Sequence, residues 1–478
     1  MNYRMIKYTL GWILLFEAGF FLIPLITALV YSESEIWSFL LSILICAAAA
    51  GLLFIGKPKS RVLYAREGFV IVSLSWIFLS IFGCIPFILS GAIPSFIDAL
   101  FETVSGFTTT GASILISVEE FPRSLLIWRS FTHWIGGMGV LVFIMAFLPL
   151  SGGQNMHIMK AESPGPSVSK LVPRVRTTAL ILYVIYFALT LLQFILLLCG
   201  GMSVFDSLNT AFATAGTGGF GFKNDSFASF SPYLQIVVTV FMLLFSLNFS
   251  SYYLAFKCRF KDAFNLEIRT FVYIVVTAIV IITLNVRDMF SSLGETLRHV
   301  AFTVASIVST TGFSTADFDL WPSLSKTVLI VIGCIGACAG STGGGFKVSR
   351  IVMLLKGMLG EIKTLLHPRR VRKVSIDGRS VEDSAIRSVS SYMMFYIVTI
   401  VVSVVLIAFD GHDLVTNFSS VLATINNTGP GFSLVGPTRN FSFFSPFSKC
   451  VLIFDMLAGR LELFPMLLLF APSTWRNK

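Results

Sequence analysis

Apolar residues in this chain form ten long runs, and short polar stretches separate the runs. Each run is long enough to cross a hydrocarbon core of roughly 30 Å as a helix. The first run is too long for the apolar part of a signal peptide and lacks a small-x-small cleavage pattern before Ser32, so it counts as a span. The pattern therefore predicts about ten transmembrane helices, near residues 9–30, 36–56, 68–91, 125–150, 176–201, 232–256, 268–286, 324–346, 387–409 and 446–470.

Four shorter amphipathic runs lie between spans, and each leads into a small polar cluster that contains Thr-Gly. The first run, PSFIDALFETVSGF, would be roughly 21 Å long as a helix, too short to cross the membrane and return. Aligning the clusters on Thr-Gly gives spacings of 107, 94 and 117 residues, which indicates a fourfold repeat of span, half-helix, loop and span. The clusters are SGFTTTGAS at 105–113, ATAGTGGFG at 213–221, SIVSTTGFS at 306–314 and ATINNTGPG at 423–431.

Four re-entrant loops in one chain predict a shared pore. Non-helical backbone at membrane depth is tolerated only where it is buried in protein or lines a cavity. The C-terminal ends of four half-helices would direct partial negative charge at the centre, which favours a cation. Glycine allows the backbone angles that turn carbonyls toward an axis, and a ring of carbonyls can replace the hydration shell of a potassium ion. A single Thr-Gly would be ordinary turn material, but four copies in register are not.

Composition and charge agree with a membrane protein. The 478 residues are 55% hydrophobic and only 13% charged, more apolar than a soluble core could bury. If the N-terminus is cytoplasmic, the loops on that side hold 26 of the 35 Lys and Arg residues, as the positive-inside rule requires. Both termini are then predicted to be cytoplasmic. The net charge of +10 reflects this topology, so nucleic-acid binding is not needed to explain it.

Catalytic and metal-binding motifs are not evident. The seven cysteines lack paired metal spacing and read as small buried hydrophobes, and His133 reads as a packed residue. Ser341 is the tempting nucleophile of an intramembrane enzyme, but no histidine is placed by sequence to serve it. A phosphate-binding loop is also disfavoured, since Phe346-Lys347 follow the glycines instead of Lys-Ser/Thr. The chain is therefore not predicted to be an enzyme.

The glycine-rich stretch GACAGSTGGGFK at 336–347 interrupts an apolar run. Each glycine disfavours helix by roughly 1 kcal/mol. The stretch is therefore predicted to break its span into an intramembrane loop. The alternative is that its small residues only let helices pack closely. The residues expected to break the helix are Gly340, Gly343, Gly344 and Gly345.

Arg460 lies within the last apolar run. A mid-membrane arginine costs about 2.5–3.5 kcal/mol on insertion scales, so it needs a water-filled cavity or partners. Asp455 and Glu462 are close in sequence. One interpretation is therefore an intramembrane ion pair that locks helices together.

Several motifs together resemble the Trk, Ktr and HKT superfamily of potassium transporters, and most closely its TrkH-type branch. They are TTTGAS at 108–113, HWIGGMGVLV at 133–142, the other Thr-Gly loops, AGSTGGGFKVSR at 339–350 and MLAGRLELFP at 456–465. The two spans before residue 60 favour the TrkH-type branch over the shorter Ktr branch. The resemblance covers nearly the whole chain.

The resemblance implies roles for particular residues. Glycine at position 111 instead of serine argues for potassium preference, whereas AGTGG and NNTGP depart from the pattern and leave the strength of selectivity open. The glycine-rich loop, with Ser341 and Thr342, would be a gate under the filter, and Arg460 would be an electrostatic barrier below it. The filter residues would be Thr110, Gly111, Thr217, Gly218, Thr311, Gly312, Thr428 and Gly429.

The resemblance also implies partners and a location. Two subunits would form a homodimer in the bacterial inner membrane, and a cytosolic nucleotide-binding ring of TrkA type would dock on the inner face. The basic loop at 347–387, which includes HPRRVRK at 367–373, could contact lipid headgroups, this ring, or both. Potassium is the expected cargo, with no organic cofactor on this chain. A less selective Na+/K+ channel or a Na+- or H+-coupled potassium symporter remains the alternative.

The predicted fold class is an all-α polytopic membrane protein with four pseudo-repeats around one pore and two extra N-terminal helices. The predicted division is a two-helix extension at 1–60, pore repeats at 61–151, 152–257, 258–356 and 387–478, and a basic cytoplasmic loop at 357–386.

Overall fold

The computed structural model describes residues 1–56, 65–139, 175–366 and 374–475. Several sequence predictions fall outside these ranges. They are the C-terminal half of the span at 125–150, most of the basic loops at 57–66 and 160–176, the HPRRVRK run and the C-terminal basic residues.

Helices make up nearly all regular structure in the described ranges. The α-helices are Tyr3–Phe20, Leu22–Tyr31, Ile36–Phe54, Ala65–Gly83, Ile85–Leu89, Phe96–Phe107, Arg123–Gly137, Val175–Cys199, Val204–Ala215, Pro232–Phe245, Phe249–Phe256, Phe260–Ala263, Leu266–Val286, Leu293–Val308, Ser323–Ile335, Val348–Leu366, Asp383–Ile407, Leu414–Ile425, Pro446–Arg460, Phe464–Phe470 and Pro472–Trp475. Short 3-10 helices occur at Arg287–Met289, Phe318–Leu320, Ala408–Asp410 and Ser433–Val435. One small antiparallel hairpin pairs Ser375–Ile376 with Arg379–Ser380.

Six stretches of helix in the described ranges are long and apolar enough to span a membrane. They are Tyr3–Tyr31, Ile36–Phe54, Arg66–Leu89, Thr177–Cys199, Leu266–Met289 and Asp383–Asp410. Many of their large apolar side chains face outward, as lipid contact requires, including Leu44 at 64%, Val184 at 66% and Leu284 at 73% exposure. The predicted all-α polytopic membrane fold is confirmed.

Three of the predicted spans are not continuous helices. The span at 232–256 is bent by 91° between Pro232–Phe245 and Phe249–Phe256. The span at 324–346 ends as helix at Ile335, and the span at 446–470 is interrupted between Arg460 and Phe464. Hydropathy averaged over a window does not reveal these breaks, because the flanking helices are apolar, although the glycines of 336–347 predict one of them.

Four half-helices of 12 to 16 residues precede the Thr-Gly loops. Half-helices 1 to 4 are Phe96–Phe107, Val204–Ala215, Leu293–Val308 and Leu414–Ile425. Each begins at a side-chain cap, in which Ser95, Ser203, Ser292 or Asp413 accepts a hydrogen bond from a backbone N–H in the first turn. After each loop the chain returns along a second helix. Return helices 1 to 4 are Arg123–Gly137, Pro232–Phe245, Ser323–Ile335 and Pro446–Arg460.

The N-terminal helices pack against the first of these units. Phe21 contacts Trp128 of return helix 1, with ring centroids 4.5 Å apart. Glu33 accepts hydrogen bonds from the backbone N–H groups of Arg123 and Ser124 at the start of the same helix, at 2.7 and 3.0 Å. The extension therefore braces one side of the fourfold arrangement.

Candidate functional site

The four Thr-Gly loops share one backbone conformation. The loop residues are 108–111, 216–219, 309–312 and 426–429, and each follows the last residue of its half-helix. The second residue of each is left-handed, with φ of 56° at Thr109, 56° at Thr217, 60° at Thr310 and 54° at Asn427. The fourth residue is always glycine with positive φ, at 80° for Gly111, 77° for Gly219, 86° for Gly312 and 91° for Gly429.

Equivalent hydrogen bonds support the same register. The backbone N–H of the third loop residue donates to the carbonyl five residues earlier in every loop. These bonds run from Thr110 to Ser105, Gly218 to Ala213, Thr311 to Ser306 and Thr428 to Ala423, at 2.8 to 2.9 Å. Left-handed threonine is unfavourable, by about 1–3 kcal/mol per residue. Its recurrence in three loops shows that the surroundings impose the conformation.

This register corrects the alignment of the second loop. The sequence pattern pairs Gly218 with Gly111, whereas the structure places Gly219 there and puts Thr217 at the position of Thr109. The reason lies behind the loop, where a Cβ on Gly218 would overlap the imidazole ring of His133. The second loop therefore has glycine where the other three have threonine.

The four loops form a closed cycle of contacts. A Cβ on Gly111 would overlap the carbonyl oxygen of Gly218, and a Cβ on Gly219 would overlap that of Thr311. A Cβ on Gly312 would lie 2.5 Å from the Thr428 oxygen, and one on Gly429 would lie 2.7 Å from the Thr110 oxygen. Each loop thus presents a carbonyl beside the glycine of the next loop, in the order 1, 2, 3, 4 and back to 1. We call the carbonyl oxygens of residues 110, 218, 311 and 428 the carbonyl ring.

The glycines that neighbour the ring line one cavity, and all four half-helices end at the loops that form the ring. Gly111, Gly219, Gly312 and Gly429 all line this cavity, together with Arg439 and other loop residues. The half-helices end at the residue before each loop, so their carbonyl ends are directed at the ring. This arrangement favours a cation, because helix C-termini carry partial negative charge.

A non-helical segment lies against the Thr-Gly loops. Return helix 3 ends at Ile335, and helix resumes only at Val348, so residues 336–347 form the predicted interruption. The break begins at Gly336, which has φ of 71°, four residues before the predicted Gly340. The loop contacts the Thr-Gly loops directly, since the Gly344 N–H donates to Thr310 Oγ1 at 2.6 Å and the Gly345 N–H to the Asn426 carbonyl at 3.0 Å.

Close backbone contacts explain the glycines of this intramembrane loop. A Cβ on Gly344 would overlap the Asn426 carbonyl, and one on Gly343 would lie 2.5 Å from the Ala337 Cβ and 2.8 Å from the Ser309 carbonyl. Small residues are therefore needed for close packing at these positions. The packing takes place within a loop, whereas the alternative interpretation of the sequence places it between two helices. Among the other predicted loop residues, Thr342 donates to the Phe245 carbonyl at 3.1 Å.

Arg460 connects the intramembrane loop to return helix 1. Its guanidinium donates to the carbonyls of Thr342 at 2.8 Å, Gly136 at 2.6 Å and Gly137 at 2.8 Å. The nearby carboxylates have other partners, since Asp455 accepts from Ser403 at 2.7 Å and Glu462 pairs with Arg350 at 2.6 Å. These contacts hold a positive charge beside the loop.

Comparison with known proteins adds the family to this geometry. A family model described as TrkH, cation transport protein, matches residues 36–477. This chain belongs to the TrkH family. Over 485 residues it is 35% identical to the Trk system potassium uptake protein TrkH of Escherichia coli K12, covering 100% of both chains. It is 34% identical to TrkH of Vibrio parahaemolyticus, again over the whole of both chains, and 32% identical to TrkG of Escherichia coli K12 over 99% of each.

A solved structure is similar throughout. The crystal structure of the potassium transporter TrkH from Vibrio parahaemolyticus superposes with a TM-score of 0.89 at 31% identity, covering 100% of both chains. Membership of a transport family confirms that this TrkH-family chain is not an enzyme. Ser341, the nucleophile considered for an enzyme, donates its hydroxyl hydrogen to the Cys338 backbone carbonyl at 2.6 Å instead of to a catalytic base.

Sequence reasoning missed the buried polar groups behind the ring in this TrkH-family chain. Arg129, which falls in the predicted span at 125–150, is 2% exposed and pairs with Glu102 at 2.7 Å. Glu102 also accepts from the Ile114 N–H at 3.0 Å, and Arg129 donates to the Gly221 carbonyl at 3.3 Å. The pair thus joins the first and second loops. The sequence does contain an indication of this pair, because a carboxylate such as Glu102 inside an apolar half-helix needs a partner.

Two further residues position the loops. His133 Nδ1 lies 2.7 Å from the Gly106 carbonyl, and its Nε2 accepts from the Phe220 N–H at 3.2 Å. Asn427 Nδ2 donates to Thr110 Oγ1 and to the Met456 carbonyl, both at 3.0 Å. His133 is a packed residue, as expected, but it also orders the second loop.

Proposed function

We propose that this TrkH-family protein takes up potassium across the bacterial inner membrane through the carbonyl ring. The observation that carries the proposal is the closed cycle in which each loop places a carbonyl against the glycine of its neighbour. Oxygen ligands of this kind replace the hydration shell of an alkali cation. The relatives that match along the whole chain are named potassium uptake proteins or potassium transporters.

The residues proposed to form the filter follow the structural register. Thr110-Gly111, Gly218-Gly219, Thr311-Gly312 and Thr428-Gly429 supply the ring and its glycines. Thr217 lies one position before the ring residue of its loop, at the position that Thr109 has in the first loop. Its hydroxyl donates to the Gly216 carbonyl at 2.6 Å. Potassium is the substrate in this scheme, with no organic cofactor.

The intramembrane loop and Arg460 are proposed to be the gate. Residues 336–347 contact the Thr-Gly loops through Gly344 and Gly345, which supports a position on the path of an ion that leaves the ring. Arg460 adds a positive charge beside the loop, which disfavours a cation dwelling there. Opening requires the loop to leave its contacts with Thr310 and Asn426.

The partners are also part of the proposal. A TrkA-like nucleotide-binding ring would dock on the basic loop on the cytoplasmic side, and the protein would act as a homodimer. The concentration of ten Lys and Arg residues in 347–387 supports the docking surface. The cytoplasmic position of both termini rests on the same charge distribution.

Radiotracer uptake tests the transport function. Rb+ or K+ uptake into proteoliposomes, with Na+ and pH gradients varied independently, should show uptake driven by the K+ gradient and the membrane potential alone. Equal permeation of Na+ would favour a less selective cation channel, and dependence on a Na+ or pH gradient would favour a symporter. Absence of alkali-cation flux above protein-free liposomes, with and without a TrkA-like ring, would contradict the proposal.

A further inference from the structure

Both ends of the intramembrane loop are bonded to one carboxylate. Glu267 Oε1 accepts from the Ala339 N–H at 2.7 Å and from the Ser349 N–H at 3.2 Å. Ala339 lies near the start of the interruption, and Ser349 is the second residue of the helix that follows it. One side-chain oxygen therefore closes the base of the loop.

The position of Glu267 suits this contact. It is the second residue of the helix Leu266–Val286, whose first turn is capped by Asn265. The positive end of a helix stabilises a carboxylate in its first turn. The bonds from Ala339 and Ser349 are strongest when Glu267 is ionised, because hydrogen bonds to a carboxylate are stronger than bonds between neutral groups.

The residue next to Glu267 is bonded to the small hairpin. The Leu266 N–H donates to Asp377 Oδ1 at 3.0 Å, and Asp377 lies in the turn between Ser375–Ile376 and Arg379–Ser380. That hairpin directly follows the basic run at 367–373. Adjacent residues of one helix thus contact the hairpin on one side and the intramembrane loop on the other.

We propose that Glu267 is a positioning residue that holds the intramembrane loop against the carbonyl ring and transmits displacement of the hairpin to it. This inference rests on the proposed gating function. Displacement of the hairpin shifts the start of the Leu266–Val286 helix and weakens the bonds from Ala339 and Ser349. The loop then separates from the ring.

The chain contains its own reporter for loop release. Cys338 is fully buried in the intramembrane loop. Its rate of alkylation by N-ethylmaleimide, measured by mass spectrometry of the Cys338 peptide in the full-length protein in lipid, reports opening without any ion flux. Potassium efflux from proteoliposomes gives the functional readout in parallel.

Three substitutions of Glu267 separate the hydrogen bonds from the fold. Glu267→Ala should raise both Cys338 alkylation and potassium leak by about tenfold or more, the change expected when a charged hydrogen bond is lost from the closed state alone. Glu267→Gln keeps an acceptor oxygen and should restore both toward wild type. Glu267→Asp has a side chain one methylene shorter, so its Cys338 alkylation and potassium leak should lie between those of the other two variants. This variant also serves as the test if the alanine variant does not fold.

Glu33→Ala is the matched control. Glu33 also accepts two backbone N–H bonds at the start of a helix, but these bonds tie the N-terminal extension to return helix 1 and not to the intramembrane loop. It should leave Cys338 alkylation unchanged. An unchanged Cys338 rate in Glu267→Ala, or an equal increase in Glu33→Ala, would overturn the positioning role. An unchanged rate in Asp377→Ala would overturn the transmission from the hairpin. Accelerated alkylation without any potassium flux would contradict the transport proposal and leave the loop assignment supported.

Discussion

At the scale of single residues, the second loop shows how one side chain decides a backbone position. The imidazole of His133 occupies the space in which a side chain at position 218 would lie, while Gly219 faces the carbonyl of the third loop. The two glycines therefore have different neighbours. One faces a side chain that can be removed, and the other faces backbone that cannot.

This difference gives a double-mutant prediction. Gly218→Ala should impair potassium uptake, and adding His133→Ala should restore part of it, because the colliding ring is gone. Gly219→Ala should abolish selective uptake, and His133→Ala should not rescue it. Uptake in the single and double variants, with K+ and Na+ compared, measures both effects. Rescue of Gly219→Ala would show that the register described above is wrong.

Arg460 gives the second prediction at this scale. Arg460→Ala removes three hydrogen bonds and a positive charge beside the intramembrane loop. Potassium leak in reconstituted protein should rise about tenfold, which corresponds to a barrier lowered by roughly 1.4 kcal/mol. Arg460→Lys keeps the charge but not the planar set of donors, so it should leak less than the alanine variant. Unchanged currents in both would contradict the barrier role.

At the scale of elements, the intramembrane loop and the half-helices differ in how visible they are in the sequence. The amphipathic runs and the recurrent Thr-Gly reveal the half-helices, since both are local signals. The glycines of 340–345 reveal the interruption, but its true start at Gly336 depends on the neighbouring Gly344 and Gly345 backbone. Contacts within the folded loop set that boundary.

Shortening the loop tests its role as an element. Deleting Gly343, Gly344 and Gly345 removes the contacts to Thr310 and Asn426, so conduction should become constitutive. Potassium leak and the thermal unfolding midpoint should be measured together on purified protein. A large loss of thermal stability with no added leak would indicate that the segment serves packing alone.

At the scale of the whole molecule, hydropathy and repeat spacing predict the fold class because both depend on the membrane and on chain periodicity. The register of the second loop and the Glu102–Arg129 pair could not be predicted in the same way. His133 lies 85 positions before Gly218, and nothing local distinguishes Gly218 from Gly219. Contacts over such separations require the tertiary structure.

The basic loop at 347–387 gives a prediction about binding of a cytosolic partner. Replacing Arg369, Arg370 and Arg372 by glutamate should sharply reduce co-purification of a TrkA-like subunit, because the charges that would face an acidic partner are reversed. Lys261→Glu, a charge reversal at an exposed residue of the short helix Phe260–Ala263, is the control and should retain binding. Full retention by the triple variant would exclude the basic run as the docking site.

The cyclic contact of four unlike loops has a consequence for variation. In a tetramer of identical subunits, one substitution changes every quadrant of the conduction path at once. In the proposed pore each quadrant is encoded separately, so a substitution such as that at position 218 alters a quarter of the path and leaves the rest intact. The ion preference of such a protein can therefore change in small steps, one loop at a time, without loss of the whole path.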